Sequence, residues 1–133
     1  MKNIYRHLVQ YNQPTEGLVM ATVTATHGST PQKPGSTALF GNGRLLAGTV
    51  GGGFVENRVR EQAMKCLSGK ESSWMHFSLD NDISRKEEAI CGGSISILLD
   101  ASPLKHLSVF REMEESLAIG RHGVLVTVIS RLN

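Results

Sequence analysis

Apolar positions change their period several times along the chain, and each change marks an element. Ile4, Tyr5, Leu8 and Val9 recur at helical spacing, and the pattern stops before Pro14. Residues 17–26, Gly-Leu-Val-Met-Ala-Thr-Val-Thr-Ala-Thr, carry no charge and many β-branched side chains, which predicts a buried strand. Residues 36–40 and 44–50 flank Gly41-Asn42-Gly43, a hairpin signal. Val55, Val59, Ala63 and Leu67 then recur every fourth residue, predicting a helix that Ser68-Gly69 ends. Residues 72–79 and 94–100 read as two further strands, with a charged loop or short surface helix between them over 81–88. Pro103 is placed to open a helix over 103–119. The expected fold class is mixed α/β (α+β), a central mixed sheet with packed helices, in a single domain over residues 1–133.

The last stretch, Gly123-Val-Leu-Val-Thr-Val-Ile-Ser and the residues up to Asn133, reads as one more apolar strand, and it resembles Gly17-Leu-Val-Met-Ala-Thr-Val-Thr. Each follows a helical pattern, so the two are either an internal repeat or two buried strands obeying one packing rule. Such a strand needs a sheet. It can pair beside residues 18–24 in its own subunit or complete a sheet across subunits, and the second option predicts a homodimer.

Composition removes some functions. A formal charge of +2 with scattered cations and few aromatic residues gives no footprint for nucleic acid. No run of about 18 apolar residues offers a membrane span, and the N-terminus has no apolar signal core. Two cysteines, Cys66 and Cys91, make no disulfide framework, so a reducing cytoplasmic home is expected. The five histidines show no zinc-type spacing.

Chemistry concentrates in two loops. His27-Gly28-Ser29-Thr30-Pro31-Gln32-Lys33-Pro34-Gly35 is held stiff by its prolines, and Gly51-Gly52-Gly53 runs straight into the helical pattern. Three small residues ahead of a helix leave backbone N–H groups uncrowded at its positive end, which favours an anion; a plain tight turn accounts for the glycines equally well. Neither a Walker A loop nor a dinucleotide fingerprint matches the spacing. Glu56 lies in the first helical turn, where a carboxylate suits the dipole. Cys91 opens Cys91-Gly92-Gly93, where glycines would let a ligand approach the thiol, whereas Cys66 sits inside a helix as a small core residue.

Taken together, Ala21-Thr22-Val23, Gly28-Ser29-Thr30-Pro31, Gly35, Gly48-Thr49-Val50-Gly51-Gly52-Gly53-Phe54-Val55-Glu56 and Cys91-Gly92-Gly93 resemble, in order and spacing, the N-terminal domain of the XdhC/CoxI family. These are maturation factors for molybdenum hydroxylases such as xanthine dehydrogenase, and the resemblance covers roughly residues 15–100. It implies a chaperone-like role: binding molybdenum cofactor (molybdopterin), protecting it during sulfuration and delivering it to the hydroxylase apo-enzyme, with a sulfur-transfer protein as a further partner. By that resemblance the cofactor-binding positions are Gly28, Ser29, Thr30, Gln32, Gly51, Gly52, Gly53, Glu56, Cys91, Gly92 and Gly93, with Cys91 the one thiol left in a family motif. Three features depart from the family. Gln32 replaces its usual arginine and so lacks a bidentate anion clamp, Phe54 replaces its usual cysteine, and its C-terminal Rossmann domain has no counterpart here. Two other functions fit the same residues: an assembly module that contacts the target enzyme without cofactor, and an enzyme acting on a small phosphorylated substrate.

Overall fold

Strand β1 (Leu18–His27) is paired along both edges, and the rest of the molecule is arranged around it in the computed structural model. The structure describes residues 3–11, 17–79 and 92–130. Helix α1 (Ile4–Gln10) precedes β1, and its N-cap Asn3 accepts from the backbone N–H groups of Tyr5 and Arg6. After β1 come β2 (Thr37–Gly41), β3 (Arg44–Gly48), α2 (Gly53–Gly69), β4 (Ser73–Ser78) and β5 (Ser94–Asp100). A 3₁₀ turn (Pro103–His106), which Pro103 opens, leads into α3 (Leu107–Ala118), so the α-helix itself starts four residues later than the proline suggests.

The sheet order is β3-β2-β1-β5-β4. The α+β class with one central sheet is what the structure has, but the sheet is not mixed as expected: all four pairings within it are antiparallel. The β2–β3 hairpin turns on Asn42 and Gly43, both at positive φ, the conformation that a two-residue turn of the right twist requires. Because the strands alternate in direction, one end of the sheet collects the end of β1, the start of β2, the end of β3, the end of β4 and the start of β5. The N-terminus of α2 follows the end of β3 by four residues, so it belongs to the same end.

Each face of the sheet has its own core. Helix α2 covers one face with Val55, Val59, Ala63 and Cys66 against Val19, Ala21, Ile95, Ile97 and Leu99. The other face is covered in part by α1 and α3, which close over Leu18, Leu39 and Ala47 with Leu8 and Phe110. Tyr5 stacks on Phe110 with ring centroids 5.6 Å apart. An Arg6–Glu114 contact of 3.4 Å joins the same two helices, and being largely exposed it adds little stability. Helix α2 ends at Gly69, as Ser68-Gly69 suggests, and Lys70 caps it in the left-handed conformation.

One expected element is not a strand. Residues 121–130 carry no secondary structure and all are exposed. The expected neighbour, β1, has no edge to offer, because β2 and β5 occupy both. Residues 125–130 instead line a cavity together with Val109 and Phe110 of α3 and Leu98 of the sheet. The expected loop or helix over 81–88 lies outside the described residues.

Candidate functional site

The three motif segments meet at the end of the sheet where β1 finishes. Loop 28–35 is tied back to β1 by two backbone bonds, Val23 N–H to the Ser36 carbonyl at 2.9 Å and Gly35 N–H to the Val23 carbonyl at 2.8 Å. A bulge between Val23 and Ala25 turns the end of β1, where Thr24 Oγ1 donates to the Ser96 carbonyl at 3.2 Å. Inside the loop, Thr30 Oγ1 donates to the Gln32 carbonyl at 3.0 Å, and Ser36 Oγ donates to Gln32 Oε1 at 3.0 Å. Gln32 therefore braces its own loop with both of its acceptors.

Gly28 and Gly93 lock this loop to the start of β5. A Cβ on Gly28 would stand 3.1 Å from the Gly92 carbonyl oxygen, and one on Gly93 would collide with the carbonyl oxygens of Ser29 and His27. Leu79 N–H donates to the Gly93 carbonyl at 2.7 Å, which adds the end of β4 to the junction. A Cβ on Gly51 would meet Pro31 Cγ at 2.8 Å, so the α2 entry rests on the same loop. Close packing, against backbone at Gly28 and Gly93 and against the Pro31 ring at Gly51, thus accounts for three of the candidate glycines.

Gly52 is different. A Cβ there would meet nothing within 4 Å, so its backbone faces open space at the N-cap of α2, and no side chain caps the helix. Its φ of 84° and ψ of −173° form a conformation reserved for glycine. A valine there would strain the chain as well as block the approach, so it makes a poor test of ligand contact.

Glu56 is drawn back toward the same entry. Thr49 Oγ1 donates to Glu56 Oε1 at 2.7 Å and accepts from Gly51 N–H at 3.2 Å. The carboxylate is thereby joined, through one hydroxyl, to the loop at the positive end of its own helix, a favourable arrangement. It also means that an incoming anion would meet a negative charge there. Thr49 is the residue that sequence reasoning left out of the site, although it stands inside the Gly48–Glu56 motif. The available signal was a hydroxyl seven residues ahead of a first-turn carboxylate.

Phe54, where the family pattern has cysteine, is buried with the core rather than turned to the loops, and the Arg58 guanidinium lies 5.9 Å from its ring centroid. Ser29 is exposed and Thr30 half-buried at the loop surface; Gly53 is exposed and opens α2. Gly92 is exposed beside the junction, whereas Cys91 lies outside the described residues. Among the described residues no group of three His, Cys, Asp or Glu side chains could hold a metal ion, and no helix is long and apolar enough to cross a membrane.

Cys66 matches its expected core place. It is buried in α2, and burial pushes its thiol pKa up, with the Gln62 side chain pulling the other way. A thiol raised in this way stays protonated at neutral pH and gains thiolate only as pH climbs. Native alkylation at pH 7.5 followed by peptide mapping is expected to leave Cys66 unmodified while Cys91 is labelled. Labelling of Cys66 ahead of Cys91 would reverse that assignment.

Residues 13–78 match the model of the XdhC and CoxI family. Over 103 residues, 77% of this chain, the sequence is 23% identical to a protein of Escherichia coli (strain K12) described as uncharacterized protein YqeB, and it covers 19% of that protein. A crystal structure of a xanthine dehydrogenase from Bacillus halodurans superposes with a TM-score of 0.72 at 26% identity, over 88% of this chain and 34% of that one. The chain therefore spans about a fifth of the curated relative and about a third of the structural one.

Proposed function

We propose that this chain, whose residues 13–78 match the model of the XdhC and CoxI family, serves in the maturation of a molybdenum hydroxylase of the xanthine dehydrogenase type. It holds molybdenum cofactor and passes it to the apo-enzyme, without turning over a substrate itself. The observation that carries the reading is the meeting of loop 28–31, the Gly51–Gly53 entry and Gly92–Gly93 at one end of the sheet. The alternating strands bring these segments to one end and close packing explains three of the glycines, which leaves Gly52 as the position whose backbone stays open to a ligand.

The cofactor fits one part of this cluster better than the rest. Gly52 offers an open backbone cradle, and the hydroxyls of Ser29 and Thr30 belong to the loop packed against it. The cofactor's phosphate would sit at Gly52 and Gly53, within the influence of Glu56. When bound, the group supplies the metal and dithiolene chemistry of the hydroxylase, while the chain's own residues bind and shield it. The same reading places the protein in the cytoplasm as a homodimer, with a sulfur-transfer protein as a second partner.

Glu56→Gln tests the cradle, because it keeps the Thr49 hydrogen bond and removes the charge. Titration with inorganic phosphate is expected to show three- to tenfold tighter binding in the variant, a change of ~1 kcal/mol for one like charge beside a helix terminus. Unchanged affinity would move the anion away from Gly52. The role itself is tested by co-expressing the chain with a molybdenum hydroxylase and analysing the purified protein for pterin fluorescence after oxidation. Co-purified pterin supports cofactor handling; partner capture without pterin supports an assembly module. Phe54 and Gln32 favour that second reading, since neither offers the thiol or the cation that the family pattern supplies at those positions.

A further inference from the structure

We propose that Arg58 is an anion-binding residue of this chain: its guanidinium, seated against two aromatic rings beside the loop cluster, takes an oxyanion of the ligand as a bidentate fork. This deepens the function proposed above and rests on that reading for the ligand's identity, a phosphate-bearing cofactor. The starting point is where the side chain is held. The Arg58 guanidinium carbon lies 5.9 Å from the ring centroid of Phe54 and 5.9 Å from that of Phe77. One ring belongs to α2 and the other to β4, and both are buried. An arginine on a helix surface ordinarily sweeps through many rotamers, at a cost in entropy when a ligand fixes it. Two rings from different elements restrict this one beforehand. Their attraction acts through the ring faces and leaves the N–H donors of the fork to another partner.

Placement ties this cation to the site. Helical side chains lean toward the N-terminus of their helix, and the Phe54 ring that Arg58 meets stands two residues after Gly52. Phe77 stands two residues before Leu79, whose N–H donates to the Gly93 carbonyl at 2.7 Å. The two ring neighbours of the guanidinium therefore belong to the α2 entry and to the junction of β4 with β5. Glu56 does not cancel the charge. Two residues along a helix is ~200° of rotation, and Thr49 holds the Glu56 carboxylate on its own flank at 2.7 Å. No other carboxylate among the described residues pairs with Arg58; the ion pair there joins Arg6 to Glu114. Gln32 does not fill the role, being uncharged and bound to the Ser36 hydroxyl. A planar fork with unspent donors, fixed beside open backbone at Gly52, suits phosphate or carboxylate oxygens.

Inorganic phosphate titrated into the full chain at constant ionic strength, followed by proton–nitrogen NMR, reads the contact at the residue itself. The Arg58 Nε–H signal is assigned as the one missing from Arg58→Lys. It is expected to move saturably with phosphate and to stay in place with matched chloride. Arg58→Gln is expected to bind phosphate ~10-fold more weakly, and Arg58→Lys to fall between, since it keeps the charge and loses the fork. Because the side chain is exposed, both variants should keep the fold, which thermal unfolding checks. A signal indifferent to phosphate, one that chloride moves equally, or equal affinity in Arg58→Gln and the unmodified chain would each overturn the clamp. Pterin analysis of the same proteins separates the two readings. Phosphate held through Arg58 in a chain that carries no pterin keeps the clamp and removes the cofactor. Pterin carried equally by Arg58→Gln keeps the cofactor and removes the clamp.

Discussion

Gly93→Ala is expected to unfold about 10 °C below the unmodified protein, the equivalent of ~3 kcal/mol for a domain of this size. The added Cβ would collide with the carbonyl oxygens of Ser29 and His27 and lie 2.9 Å from Thr30 Cγ2. Two of those three neighbours are backbone, which cannot swing aside as a side chain end would. The Leu79 N–H to Gly93 carbonyl bond of 2.7 Å holds the other side of the junction, so the loop cannot simply slide away. Relief has to come from moving loop 28–31 away from β5, and that movement opens the packing of Pro31 on Gly51 as well. Thermal unfolding by circular dichroism measures the loss. A drop under about 2 °C would mean that the loop yields freely, and the close approach would then not be what glycine serves at this position.

The elements were legible because their periods are clean. Val55, Val59 and Ala63 each face the core beneath α2, and the uncharged run from Leu18 is buried on that side and half-covered on the other. The turn at Asn42-Gly43 declared itself through the backbone it requires. What periodicity could not give was pairing. Residues 18–24 and 123–130 look alike, yet one is the central strand and the other pairs with no strand among the described residues, because β2 and β5 fill both edges of β1. Apolar alternation states that a segment can pair; it does not say whether an edge is vacant. The site followed the same rule. The motif positions Gly28, Gly51 and Gly93 were identifiable as a set, but their reason is mutual packing, a long-range fact that no local pattern contains. Gln32 turned inward as a brace for the Ser36 hydroxyl, and Thr49 entered the cluster only through its bond to Glu56.

Restoring the family residue at position 54 should cost stability and yield no reactive thiol. Phe54 is 5% exposed, and its ring belongs to the core between α2 and the sheet, with Arg58 lying 5.9 Å from its centroid and 5.9 Å from that of Phe77. Phe54→Cys removes most of a buried ring and leaves a cavity, a change of ~3 kcal/mol by analogy with other large-to-small core substitutions. Loss of the Arg58 contact adds roughly 0.5 kcal/mol for a cation that is itself exposed. Urea unfolding should show the midpoint fall with the slope unchanged, since the surface exposed on unfolding stays the same. Two influences compete for the new thiol: the helix N-terminus lowers its pKa, and the apolar surroundings raise it. Burial wins, because the position points into the same core as Cys66, whose thiol is already pushed up by desolvation. Alkylation of the variant at pH 7.5 is therefore expected to modify position 54 no faster than Cys66. Rapid modification would show that position 54 opens onto the loop cluster once the ring is gone. Phe54 would then be a plug beside the proposed cofactor cradle, and the assembly-module reading would lose its main support.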